Sequence, residues 1–134
     1  MAEEPNYRIR PPVLTTAVDD SVDIAVVRDI ARRAATLLGF SPAHRAQLAS
    51  AAAALSELVL QAGGAHAVQF NGVVTGMQSG LQVMIETPFL EGVSANNIVV
   101  ALNSKLGDLV DEIFVRQNPQ RIAMIMWLTE ERSL

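Results

Sequence analysis

Cysteine is absent from this chain of 134 residues, and histidine occurs only twice, as His44 and His66. The first absence excludes disulfides, thiolate metal sites and a cysteine nucleophile, and two histidines alone give no basis for a histidine-rich metal centre. Basic charge is scarce as well: ten Lys and Arg against fourteen Asp and Glu leave a net charge of -4. Those ten are dispersed along the chain, which argues against nucleic acid as a partner, because neutralising phosphates takes a concentrated basic surface. No apolar run reaches the ~20 residues of a membrane-spanning helix, and residues 1–10 lack the apolar stretch of a secretory signal. The expected address is the cytoplasm, with no membrane contact.

What is present is apolar bulk. Half of the residues are hydrophobic and only 18% are charged. The length suits one domain, which at this size buries roughly two-thirds of its unfolded-chain surface and needs no staples. So few charges leave apolar groups on the surface, which favours a standing partner or self-association.

Residues 1–12 hold three of the six prolines and several charges, and read as a flexible tail before a single domain over 13–134 that opens with a strand at 13–18. Asp19, Asp20, Ser21 and Asp23 offer N-caps to a first helix, in which Ile24, Val27, Ala31, Ala34 and Leu38 recur at three-four spacing until Gly39. Ser41 then Pro42 start a second helix, whose face is Leu48, Ala52, Leu55 and Val59, ending at Gly63 and Gly64. Residues 65–74 and 80–87 are rich in β-branched side chains around turn signals at 75–79, and predict an antiparallel hairpin. A third helix is expected over 95–109, and residues 111–117 and 121–129 form a closing hairpin around Asn118 and Pro119. The order is β, α, α, β, β, α, β, β. Such an order predicts an α+β domain: a two-layer sandwich with a mixed or antiparallel sheet and about three helices on one face.

Along the last strand Ile122, Met124, Met126 and Leu128 fall on one face and Ala123, Ile125 and Trp127 on the other, so both faces are apolar. A sheet covered by helices on one side should be polar on the other. Either additional structure or a second subunit must cover this strand, and Met124, Met126 and Trp127 are its candidate interaction surface.

Asp23-Ile24-Ala25-Val26-Val27-Arg28 opens the first helix and Leu37-Leu38-Gly39-Phe40 closes it, while Leu109-Val110-Asp111-Glu112 leads into Ile113-Phe114-Val115 and a closing strand ends in Trp127-Leu128. In these stretches and in its order of elements the chain resembles the RsbT/RsbW-type anti-sigma-factor serine kinases of the GHKL (histidine-kinase-like) ATPase group, over about residues 13–129. The resemblance implies a bacterial partner-switching pathway, with a STAS-domain antagonist, a sigma factor, a related kinase or a phosphatase as partner, or a second copy as homodimer.

The functional boxes of that family are missing. Its second helix carries a Glu that positions or activates the attacking group and, four residues on, an Asn that helps to hold magnesium on ATP; an ungapped count from Gly39 and Phe40 places Ala54 and Leu58 there. Alanine cannot act as a base, and leucine offers magnesium no oxygen. In a shifted register Glu57 and Gln61 take these positions on one helix face. Glu86 could stand for the carboxylate that recognises the adenine amine, but Pro88, Phe89 and Leu90 fill the turn that should follow. Residues 94–102, in place of the glycine-rich phosphate lid, contain no glycine. No ATP, magnesium or other metal is therefore expected.

His44, His66, Ser50 and Ser56 show no companion pattern, and no GxSxG, P-loop or HExxH signature occurs. The expected function is that of a non-catalytic regulator acting by protein binding. The alternatives are an active protein-serine kinase with an atypical pocket of Glu57, Gln61 and Glu86, and an assembly subunit that reuses the fold.

Overall fold

A computed structural model describes residues 7–86, 95–116 and 120–134. Along the chain run β1 (Arg8–Val18), α1 (Ile24–Leu38), α2 (Pro42–Gly63), β2 (His66–Thr75), β3 (Gln78–Glu86), α3 (Ala95–Leu106), β4 (Glu112–Arg116) and β5 (Arg121–Trp127). The strands form one sheet in the order β1-β2-β3-β5-β4, with every neighbouring pair antiparallel. Helices cover one face, so the domain is an α+β two-layer sandwich, as the sequence pattern predicts. No described helix is long and apolar enough to cross a membrane.

Acidic residues cap a short 3-10 turn, Ser21–Asp23, that leads into α1, whose own first residue follows Asp23 without a side-chain cap. Asp20 Oδ1 accepts the Val22 amide at 2.9 Å, and Asp23 Oδ2 accepts the amides of Asp19 and Asp20, which satisfies donors that a helix start leaves over. Gly39, at φ 94°, ends the helix in the left-handed conformation that glycine tolerates best. Ser41 stands at the N-cap of α2, but its hydroxyl bonds the His44 Nδ1 at 2.7 Å and makes no capping bond to the backbone. α2 packs against both α1 and α3, which explains why burial spreads over Leu48, Ala49, Ala51, Ala52, Ala53, Leu55, Ser56 and Val59. The alanine run lets its neighbours approach closely.

Most strand ends move by one or two residues, β5 stopping at Trp127, and three boundaries differ more in kind. β1 begins at Arg8, so residues 8–12 of the expected tail belong to the sheet. Arg10 opposes Gly72 and Val13 opposes Asn71, which leaves Pro11 and Pro12 as a bulge; prolines, lacking an N–H, are tolerated there and at sheet edges. A Cβ on Gly72 would stand 2.7 Å from the Arg10 carbonyl oxygen, so glycine makes room for the bulge. The β2–β3 turn is tighter than residues 75–79: Thr75 pairs with Gln78 around Gly76 and Met77. α3 stops at Leu106, three residues early. The turn at Asn118 and Pro119 lies outside the described residues.

Between sheet and helices lies the main core, where Val18, Val68, Phe70, Leu81, Val83, Ile85, Ile122, Met124 and Met126 meet the helices' buried side chains. On the opposite face Val73, Phe114, Ile125 and Trp127 form a second cluster, with Tyr7 against it.

Candidate functional site

The residues expected to make an atypical nucleotide pocket do not converge. Glu57 and Gln61 are exposed on α2, on the stripe shared with Ala43, Ala46 and Ser50 that faces away from the core. Glu86 ends β3, where Leu81, Val83 and Ile85 point to the helices and Gln82, Met84 and Glu86 alternate onto the other face. The sheet thus separates Glu86 from the other two carboxyl and amide groups. In register Glu86 stands opposite Arg121 of β5, a cross-strand pair of opposite charge.

At the ungapped positions, Ala54 and Leu58 are half-buried and pack against the main core. The region of Pro88 to Glu91 lies outside the described residues, as does Ser94, and the rest of the expected lid, residues 95–102, is helical in α3. A depression of about 340 Å³ is lined by Tyr7, Arg8, Val74, Thr75 and Gly76, and a smaller one of about 20 Å³ by Met84, Phe114, Arg116, Arg121 and Ala123. Neither touches Glu57, Gln61 or Glu86.

Met124, Met126 and Trp127 are not a shared surface. Met124 and Met126 are 1% and 0% exposed in the main core, and Trp127, 8% exposed, belongs to the cluster on the other face. The alternation read from the sequence is correct, but both faces of β5 are buried within the chain itself. The apolar surface is elsewhere, in Ile9, Val13, Val22, Val26, Leu37, Met77, Val100 and Leu134.

Tertiary structure also makes three polar arrangements that the sequence does not announce. Ser56 Oγ lies 2.7 Å from His66 Nε2, and His66 Nδ1 lies 3.0 Å from the Gly64 carbonyl oxygen. A carbonyl only accepts, so it fixes the proton on Nδ1 and leaves Nε2 to accept from the serine hydroxyl. This is the geometry of an activated serine, but Ser56 is fully buried, and a nucleophile must reach its substrate. The pair ties the end of α2 to the start of β2.

The second arrangement gathers the C-terminus. Arg132 reaches both carboxylate oxygens of Asp111, at 2.5 and 2.9 Å, and donates to the Trp127 carbonyl at 2.9 Å. Asp111 Oδ2 also accepts the Trp127 amide at 2.7 Å, while the indole N–H donates to Glu112 at 2.6 Å. Burial pushes the Asp111 carboxyl up, but hydrogen bonds from Arg132 and Trp127 outweigh it and hold it below its ordinary value. Its hydrogen bond to Asp111 in turn raises Arg132. Beyond this clamp the Ser41 amide donates to the Arg132 carbonyl at 2.6 Å, and the Leu134 amide to that of Gly39 at 2.9 Å. The last residues therefore latch onto the α1–α2 junction.

Third, Asn71 and Gln82 are buried side by side on the helix-free face. Asn71 Nδ2 donates to Gln82 Oε1 at 3.0 Å, and Gln82 Nε2 donates to the Tyr7 hydroxyl. Amides and a phenol hold position well but carry no base or nucleophile poised for chemistry. Among the described residues no group of three or more His, Asp or Glu side chains is placed to hold a metal ion. No known family profile matches the chain, and no curated protein sequence matches it.

Proposed function

We propose that this chain is a non-catalytic regulator, similar to the anti-sigma-factor serine kinases, that acts by binding proteins in a bacterial partner-switching pathway. What carries the reading is the separation of Glu57 and Gln61, on the outside of the helical layer, from Glu86, on the helix-free side of the sheet. Catalysis of phosphoryl transfer is almost wholly positioning and charge stabilisation, and side chains on opposite outsides of a sandwich supply neither to one phosphate. Ala54 and Leu58 at the ungapped positions support the same reading, as does the β-α-α-β-β-α-β-β order that it shares with the kinase group.

The mechanism is sequestration. A preformed surface binds one partner in competition with another, and a STAS-domain antagonist, a sigma factor, a related kinase or a phosphatase is the class of partner that the resemblance implies.

Thermal unfolding with excess ATP or ADP, with and without magnesium, tests the reading. A ligand at ~100 times its dissociation constant stabilises the native state by about 2.7 kcal/mol, which for this size moves the midpoint by roughly 4 °C. We expect no shift at millimolar nucleotide. A magnesium-dependent shift overturns the reading in favour of a kinase with an atypical pocket.

A further inference from the structure

Two arginines meet on the helix-free face of the sheet. Arg116 of β4 and Arg121 of β5 stand directly opposite each other in the register, a like-charge pair that is unfavourable unless something negative lies between them. Phe114 and Ala123, the next opposed pair on that face, line the cavity of about 20 Å³ together with both arginines and Met84. Such a volume is on the order of what one water molecule fills. Arg121 Nε is buried and has no hydrogen-bond partner among the described residues, although a buried N–H donor is normally paired. The nearby carboxylates do not supply it. Glu112, at the other end of β4, accepts the Trp127 indole N–H at 2.6 Å, and Glu86, opposite Arg121 on β3, is exposed and does not reach this nitrogen.

We propose that this cavity is a binding site for a small organic acid, whose carboxylate accepts from Arg121 Nε between the two arginines while its apolar portion packs against Met84. The arginine fork donates two parallel N–H groups to the two oxygens of a carboxylate. An oxygen at Nε–H therefore brings the second to an Nη–H of the same guanidinium. A carboxylate also sets one negative charge between two positive ones, which offsets the repulsion that the β4–β5 register imposes. The lining selects among anions. Inorganic phosphate carries more charge and gives up more hydration against Met84, Phe114 and Ala123, whereas an acid with a short hydrocarbon tail gains apolar contact as it loses water. The cavity has room for carboxylate oxygens alone, so the tail lies over Met84, which is half-buried. The inference goes beyond the regulator reading and does not rest on it, since the site lies across the sheet from Glu57 and Gln61 and involves no nucleotide.

Butyrate is the probe, with butylamine as the control for its tail and phosphate for its charge, all at constant ionic strength. The Arg121 Nε–H resonance, assigned by its absence in R121K, is expected to move saturably with butyrate in the millimolar range. Trp127 shares a cluster with Phe114, which lines the cavity, and its fluorescence should follow the same titration. Butylamine should change neither signal, and phosphate should need roughly tenfold more for the same response. R121K keeps the charge but not the fork, and should lose most of the affinity; R116Q should weaken binding several-fold, both with unchanged circular dichroism. E86Q, which removes a competing carboxylate, should strengthen it. No saturation by butyrate, an equal response to butylamine or phosphate, or an unchanged titration in R121K would overturn the proposal. So would an Nε–H resonance that moves in E86Q without added butyrate, because Arg121 would then serve Glu86 within the chain.

Discussion

On the face that meets the helices, the buried strand side chains from Val18 to Met126 are all apolar, whereas on the opposite face Val73, Phe114, Ile125 and Trp127 share the interior with a buried amide pair, Asn71 and Gln82. Apolar burial is strong but non-directional, so the first face supplies stability without choosing among similar packings. The second face is selective. Asn71 and Gln82 stand directly opposite each other in the β2–β3 register, and a one-residue slip would send one of them to the apolar side. The larger core thus drives collapse, and the smaller one makes the hairpin register costly to change.

The largest effect is expected on the helix face. Phe70 is fully buried, and Phe70→Ala should lower unfolding stability by about 3–5 kcal/mol through lost burial and a residual cavity, read from urea denaturation midpoints at constant slope. A loss below about 1 kcal/mol would mean that the core collapses freely around the vacated space. On the other face Gln82→Ala strands the Asn71 amide and is expected to cost about 1–3 kcal/mol. Adding Asn71→Leu should return part of that loss, because both ends of the hydrogen bond are then gone. If the double variant is no better than the single one, the pair is not what makes this face sensitive.

The smallest effect concerns the clamp of the C-terminus. Arg132 and Asp111 keep about a quarter of their side-chain area open, at 24% and 27%, so after solvent screening Asp111→Asn should cost only about 1–2 kcal/mol. Because the Asp111 carboxyl is held below its ordinary value in the fold, its contribution is fully present above about pH 4 and is lost as pH falls through the lowered value. The gap in thermal midpoint between the parent chain and Asp111→Asn should therefore narrow on acidification. A gap unchanged down to strongly acidic pH would assign the loss to packing alone.

Element order was legible in the sequence because each element carries a local signature. Period three-four hydrophobics with Asp20, Asp23 and Gly39 at the ends give α1, Pro42 and the paired glycines bound α2, and β-branched runs mark the strands. The start of β1 was not legible, since Pro11 and Pro12 look like tail until Gly72 is seen to accommodate their bulge. Trp127 and the methionines show a different limit. Alternation assigned their faces correctly, but whether a face is covered depends on distant elements, and here both are covered. At the ungapped positions Ala54 and Leu58 offer neither a base nor an oxygen ligand, and that much was legible in the sequence. That Glu57 and Glu86 lie on opposite sides of the sheet followed only from the strand alternation set against the packed helices.

The element order and the two-layer class were fixed by local features, because capping and periodicity are properties of residues and their near neighbours. Only the tertiary structure decided that Ser56 meets His66, that Asp111 meets Arg132, that Asn71 and Gln82 share a buried face, and that β1 is the long edge strand. Strand order joins residues far apart in the chain, and no local preference encodes which strand is left at the border of the sheet.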